Sequence, residues 1–262
     1  MTAAVTAGAT TSGGRLRALA RAELTLLGRA KGVLFTALVV PLVLPFSVYE
    51  STKGSVQKDS GLAMGEMIVP AAIGFSLLFA IYTALVNIFV VRREELVFKR
   101  LRTGELRDQE ILAGAALPSV CIGVAQCVLV PVAATVLLGL GAPKAVHLAV
   151  LGLVLGVVLM VALAAVTAGF SRSAESAQVM SLPLMFLSMI ASGISVPLEV
   201  FPDKLASVLE LLPLSPAMAL VRGGWTGELS AYDALGAVLT ALAWIVIAVF
   251  AVRRWFRWEP RR

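Results

Sequence analysis

The sequence has little with which to hold a metal ion or a covalent staple: one histidine, His147, and two cysteines, Cys121 and Cys127, in 262 residues. His147 stands beside Lys144 at the end of an apolar run and reads as an interfacial residue, so a zinc site and a serine-protease triad are both set aside. The two cysteines exclude a disulfide framework, and their apolar surroundings read as a reduced core. No G-x-x-x-x-G-K-[ST] loop occurs, so the chain carries no phosphate-cradling motif for ATP. Charge is scarce as well, at 15% of residues against about 25% in a soluble domain. Hydrophobic residues make up 59%, and the mean hydropathy is +0.92. A soluble fold could not clothe its surface with so few polar groups, which makes this an integral membrane protein.

A helix crosses the hydrocarbon core in about 20 residues, and six apolar runs are long enough to approach or exceed that length. They are 32–49, 62–91, 111–141, 145–170, 177–198 and 234–252. The only Asp, Glu, Lys or Arg within them is Glu66, which either snorkels to the outer water or stands at the exit of a pathway. The second and third runs exceed a straight crossing and should tilt, protrude or break near Pro70, Pro118 or Pro131. Continuous runs exclude a porin-like barrel, whose strands alternate. The first run does not read as a cleaved signal, because about thirty residues precede it and no A-x-A-like site follows.

With the N-terminus inside, seventeen Lys and Arg residues fall on the cytoplasmic side and five outside. Basic loops stay cytoplasmic, so both termini are expected there. The net charge of +6 is then a topology signal that calls for anionic lipid headgroups and no nucleic acid. Residues 1–14 are small and polar and read as a disordered tail. In 15–31, Leu16, Leu19, Leu24 and Leu27 share one helical face, while Arg15, Arg17, Arg21, Thr25 and Arg29 share the other. That is an amphipathic interfacial helix, with Glu23 inside its apolar arc. Residues 253–262 read as a basic cytoplasmic tail.

The longest expected cytoplasmic loop, 92–110, carries six basic and five acidic side chains. Glu95 and Lys99 offer one i,i+4 pair, and Leu96, Phe98 and Leu101 offer apolar contacts, as suits a structured docking element. On the far side, 199–231 holds a short helix opened by Pro202, with Leu205, Val208, Leu209 and Leu212 at helical spacing. Pro213 and Pro216 end it, and Gly223 and Gly224 mark the end of a second short helix. The two should form a hairpin capping the outer side.

The order of these features resembles the type-2 ATP-binding-cassette exporter permeases. The resemblance covers about residues 15–255. It rests on the amphipathic helix, six spans, R-R-E-E-x-x-x-K-R-L-R-T from Arg92 to Thr103, and S-G-I-x-x-P-L from Ser192. Leu96 stands where the family usually has glycine, and Glu105 where proline is common. The resemblance implies an all-α domain over 32–252 that is not itself an enzyme. A separate nucleotide-binding ATPase subunit would hold ATP and Mg, leaving no cofactor in this chain. It also implies a second permease subunit, identical or a sister. Arg92, Arg93, Glu94, Glu95, Lys99, Arg100, Leu101, Arg102 and Thr103 would couple to the ATPase. Ser192, Gly193, Pro197, Pro202, Pro213 and Arg222 would build the outer cap. In the family the pathway lies between the first, second and fifth spans of two subunits, where this chain supplies Phe75, Phe79, Tyr82, Met185, Phe186 and Met189. Such side chains suit an amphipathic, lipid-like, drug or natural-product cargo.

Other classes fare worse on the residues. Glu94 to Arg100 is reminiscent of the E-E-x-x-x-R of membrane CAAX-type proteases, but the arginine is one position late and histidines are missing. A secondary transporter normally keeps ionisable residues near the midplane, and none is visible. That class and a non-transporting assembly protein stand as the alternatives.

Overall fold

A computed structural model describes residues 64–104, 106–138, 142–194 and 198–259, together with Gly14, Arg21 and Thr25. The first expected span, most of the amphipathic segment, Glu105, Pro197 and the Glu66 side chain lie outside the described residues. Arg21 and Thr25 are helical and exposed, and the Thr25 hydroxyl donates to the Arg21 carbonyl at 2.7 Å.

Every regular element among the described residues is helical, as lipid demands of a backbone that water cannot satisfy. Helix α1 (Met64–Ser76) runs through a π-helical stretch, Leu77–Thr83, into α2 (Ala84–Glu94). A short α3 (Val97–Arg102) leads to α4 (Asp108–Leu138), α5 (Val146–Phe170) and α6 (Ala174–Ala191). After a 3-10 turn at Leu198–Val200 come α7 (Asp203–Glu210), α8 (Ser215–Thr226) and α9 (Ala231–Trp255). Five segments are long and apolar enough to cross a membrane, and they match the second to sixth runs.

The prolines do not break the long helices as expected. α1 continues through Pro70, and α4 through Pro118 and Pro131. The irregularity sits instead in the π stretch, which carries no proline. One cysteine also departs from expectation: Cys127 is buried, its Sγ 3.9 Å from the Ile73 carbonyl, but Cys121 is exposed.

α5 is the central support, packed against the α1–α2 helix, α8 and α9. Against α9 the seam is made by Ala234, Ala241 and Ala248, buried at seven-residue spacing, so small side chains let two helices lie close without a polar bond between them. Leu235, Leu239, Val246 and Phe250 on the other face of α9 are exposed, as a lipid-facing surface should be.

The contact with α8 is closer still. A Cβ at Gly152 would lie 2.7 Å from the Ala217 carbonyl oxygen, and one at Gly224 would run into the Ala149 backbone. The pairing of Gly224 with Ala149, and of Ala217 with Gly156, makes α8 antiparallel to α5. Gly156 is about 15 Å along α5 from Val146 at 1.5 Å per residue, so α8 starts well inside the bundle. At the other end the Lys144 and Ala145 amides donate to the Trp225 and Gly224 carbonyls at 3.4 and 2.9 Å. The open start of α5 and the open end of α8 thereby satisfy each other.

These contacts correct two expectations. Gly223 and Gly224 do not end the second short helix; they lie inside it as contact points, and Gly227, at φ 73°, follows its last residue. Nor does Pro216 end the first short helix, which stops at Glu210; it stands in the first turn of α8, whose Met218, Leu220, Val221 and Trp225 are buried among α5 and its neighbours. α7 does keep an exposed face, at Leu205 and Val208, and meets α8 at a bend of 101°.

Gly224→Leu should overpack the α5–α8 contact at a cost of about 1–3 kcal/mol or more. Gly236→Ala, on α9 where a Cβ meets nothing within 4 Å, should leave stability equal or slightly higher. Thermal unfolding of the two variants in detergent compares them, and equal melting temperatures would contradict the packing.

Candidate functional site

The charged loop is mostly helix. α2 ends at Glu94 with Arg92 and Arg93 in its last turn, where cations complement the helix dipole. The chain then reverses through Leu96 at φ 59°, the one non-glycine residue with positive φ among those described. The Glu95 and Leu96 amides donate to the Val91 and Arg93 carbonyls at 2.9 and 3.1 Å, closing the end of α2. At the far end of α3 the Thr103 hydroxyl donates to the Arg100 carbonyl at 2.7 Å. α4 then opens with Glu110 accepting from the Arg107 amide at 2.9 Å.

Phe98 anchors α3. It is fully buried, with ring centroids 6.3 Å from Phe89, 6.2 Å from Phe256 and 6.0 Å from Trp258. Arg102 binds Asp108 at 2.9 Å and lies 4.7 Å over the Trp258 ring. Lys99 pairs with Glu259 at 3.0 Å. The expected Lys99–Glu95 pair fails because the turn at Leu96 separates Glu95 from the start of α3.

The nine coupling candidates therefore divide. Arg93 is fully buried, and its Nη1 and Nη2 donate to the Ala168 and Ser171 carbonyls at 2.8 and 2.6 Å, at the end of α5. It serves the interior and offers nothing to a docking partner. Arg92 and Leu101 are half-buried, whereas Glu94, Glu95, Lys99, Arg100, Arg102 and Thr103 are exposed. Arg100 reaches back to the Glu95 carbonyl at 3.2 Å.

At the other end of the bundle, the S-G-I segment meets α8. Ser192 follows α6, Gly193 turns at φ 66°, and Arg222 Nη2 donates to the Ser192 carbonyl at 2.6 Å. A Cβ at Gly193 would sit 2.6 Å from that nitrogen, so glycine is needed here for space as well as for φ. The Ser215 hydroxyl lies 3.0 Å from the Ala191 carbonyl and 2.7 Å from that of Leu209, tying α6, α7 and α8 at one point. Ser192, Gly193 and Arg222 are thus brought together, and Pro213 is buried at the joint. Pro202 is exposed at the start of α7, away from them.

The family model described as ABC-2 type transporter matches residues 14–225. The chain belongs to that family. It is accordingly a multi-pass membrane protein and the permease subunit of an ABC transporter. No curated protein matches the chain.

Within the permease, the six pathway candidates do not share one surface. Phe75 and Phe79 stack at 6.1 Å, and Met185 is buried while Met189 is half-buried. Phe186 is exposed. Tyr82 is fully buried and turned toward α5, its hydroxyl 3.1 Å from that of Thr167. Spacing of 75, 79 and 82 places all three on one side of a regular α-helix, but the wider i→i+5 turn of Leu77–Thr83 shifts that register. Tyr82 therefore belongs to the packing inside one subunit. Among the described residues no group of three His, Cys, Asp or Glu side chains could hold a metal ion.

Sequence reasoning missed Phe89, Asp108, Phe256, Trp258 and Glu259, all of which contact α3 or its anchor. The signal was available in W-F-R-W-E, residues 255–259, because three large rings in five residues of a basic tail are costly to leave in water.

Leu96→Gly should raise stability by about 1 kcal/mol, since only glycine adopts positive φ without steric cost. Arg93→Ala should lower it by about 1–3 kcal/mol for each carbonyl deprived of its donor. Opposite shifts in melting temperature are expected, and a destabilised Leu96→Gly variant would contradict the strain at that turn.

Proposed function

We propose that the chain is the membrane half of an ATP-driven exporter. In this reading two copies, or one copy and a sister permease, sit on two separate nucleotide-binding subunits. α3 and both termini face the cytoplasm, and the α7–α8 hairpin faces outward. The observation that carries it is α3 itself. A six-residue helix is too short to be stable alone, yet this one is pinned by Phe98 while Glu94, Glu95, Arg100 and Thr103 stay exposed. A surface held rigid from behind and charged in front suits a partner that pushes.

Basic asymmetry supports the orientation. ATP binding closes the two ATPase subunits, and that rigid-body motion reaches the permease through α3. The hairpin, joined to α6 by Arg222–Ser192 and by Ser215, is the part that must yield for release outward. The aromatic and methionine side chains of the second and fifth spans suit a lipid-like, drug or natural-product cargo taken from the cytoplasm or the inner leaflet.

Glu94→Lys with Glu95→Lys tests the reading in the assembled complex. Both positions are exposed, so folding should survive. The charge presented to the ATPase is reversed, and complex yield or transport should fall at least several-fold. Wild-type yield together with wild-type export would refute it.

A further inference from the structure

The chain does not leave the bundle at the end of α9. It turns at Phe256, whose backbone takes extended angles while its amide donates to the Val252 carbonyl at 2.9 Å. Here α5 has Gly169, and a Cβ at that position would come within 3.4 Å of the Phe256 Cα and the Trp255 carbonyl oxygen. The turn therefore lies in contact with the end of α5. The Phe256 ring then packs against both Phe89, at 6.5 Å, and Phe98, at 6.2 Å. Trp258 meets Phe256 edge-on at 5.0 Å and Phe98 at 6.0 Å, and carries Arg102 on its face. Glu259 completes the row with its ion pair to Lys99.

Phe98, Lys99 and Arg102 of α3 are thus held by one four-residue segment that follows α9. The mechanical consequence follows from the length of α3. It joins α2 through the two residues Glu95 and Leu96, the latter left-handed, and ends in a turn at Thr103 and Gly104, and short non-helical links of this kind can bend under load. A push on the exposed edge would be spent on that bending unless something stiff lay behind the helix. We infer that Phe256–Glu259 is a strut that fixes α3 against α5 and α9, and that Trp258 is a positioning residue for energy transfer. The segment lies beyond the residues that the family match covers. The inference rests on the reading that α3 receives the ATPase.

The permease with its nucleotide-binding subunit provides the test, with two readouts. Amide hydrogen exchange over 97–102 reports the strut without reference to nucleotide. Labelling of Ser207→Cys by a membrane-impermeant maleimide, compared between nucleotide-free and vanadate-trapped complexes, reports transmission to the hairpin. Trp258→Ala should raise exchange in α3 at least tenfold and cut the nucleotide-dependent labelling difference at least fivefold, with ATP still hydrolysed. Trp258→Phe, which keeps a ring, should retain both. Lys99→Glu, a surface change, should weaken the difference, and Lys99→Glu with Glu259→Lys should restore it. Unchanged α3 exchange in Trp258→Ala, or an unchanged labelling difference despite faster exchange, would overturn the strut. A wild-type complex whose hairpin labelling ignores nucleotide, while Trp258→Ala still loosens α3, would overturn the coupling reading on which the strut rests.

Discussion

The close approach of α8 to α5 is the constraint on which the rest of the bundle depends. A helix of twelve residues cannot cross a bilayer, and its end groups cannot be left unpaired in hydrocarbon. It survives because Gly152 and Gly224 let two backbones meet, and because the last carbonyls of α8 accept from the Lys144 and Ala145 amides just before α5. Once α8 is seated, Ser215 and Arg222 on it become the points that end α6 and aim Gly193. Without the glycines the hairpin would be expelled to the surface, and α6 would have nothing against which to stop.

α5 carries the second consequence at its other end. There Ala168 and Ser171 accept from the buried Arg93, and the turn at Phe256 lies against Gly169. One helix thus touches the hairpin at its start and the support of α3 at its finish. Burying a guanidinium is costly, and two short bonds to carbonyls at a helix end are a favourable way to offset it. The arrangement gives a displacement of α3 a rigid body to act on.

Much of this was legible in the sequence for a simple reason: apolar runs report burial in lipid, and five of the six lie where helices are found. The helical turn inside the charged loop, 97–102, was also readable because charge balance acts locally, whereas Pro216, expected to end the first short helix, stands in the first turn of the second. What escaped were decisions made by tertiary contact. Arg93 looks like any arginine in R-R-E-E, and only the end of α5 makes it interior. Gly223 and Gly224 carry a stop signal in isolation, yet act as contact points because a second helix is present. The π turn at Leu77–Thr83 has no local mark, and it alone moved Tyr82 off the expected face. Leu96 differs in carrying a mark, its departure from the family's glycine, although the positive φ there is shown only by the structure.

The central claim is that a separate ATPase meets this permease at α3 and not at the hairpin. Photocrosslinking answers it directly, with a photoreactive amino acid placed at Thr103 or at Ser207, both exposed, in the complex with the nucleotide-binding subunit. The account predicts capture of that subunit from Thr103 and none from Ser207. Capture from Ser207, or from neither position in an intact complex, would contradict it.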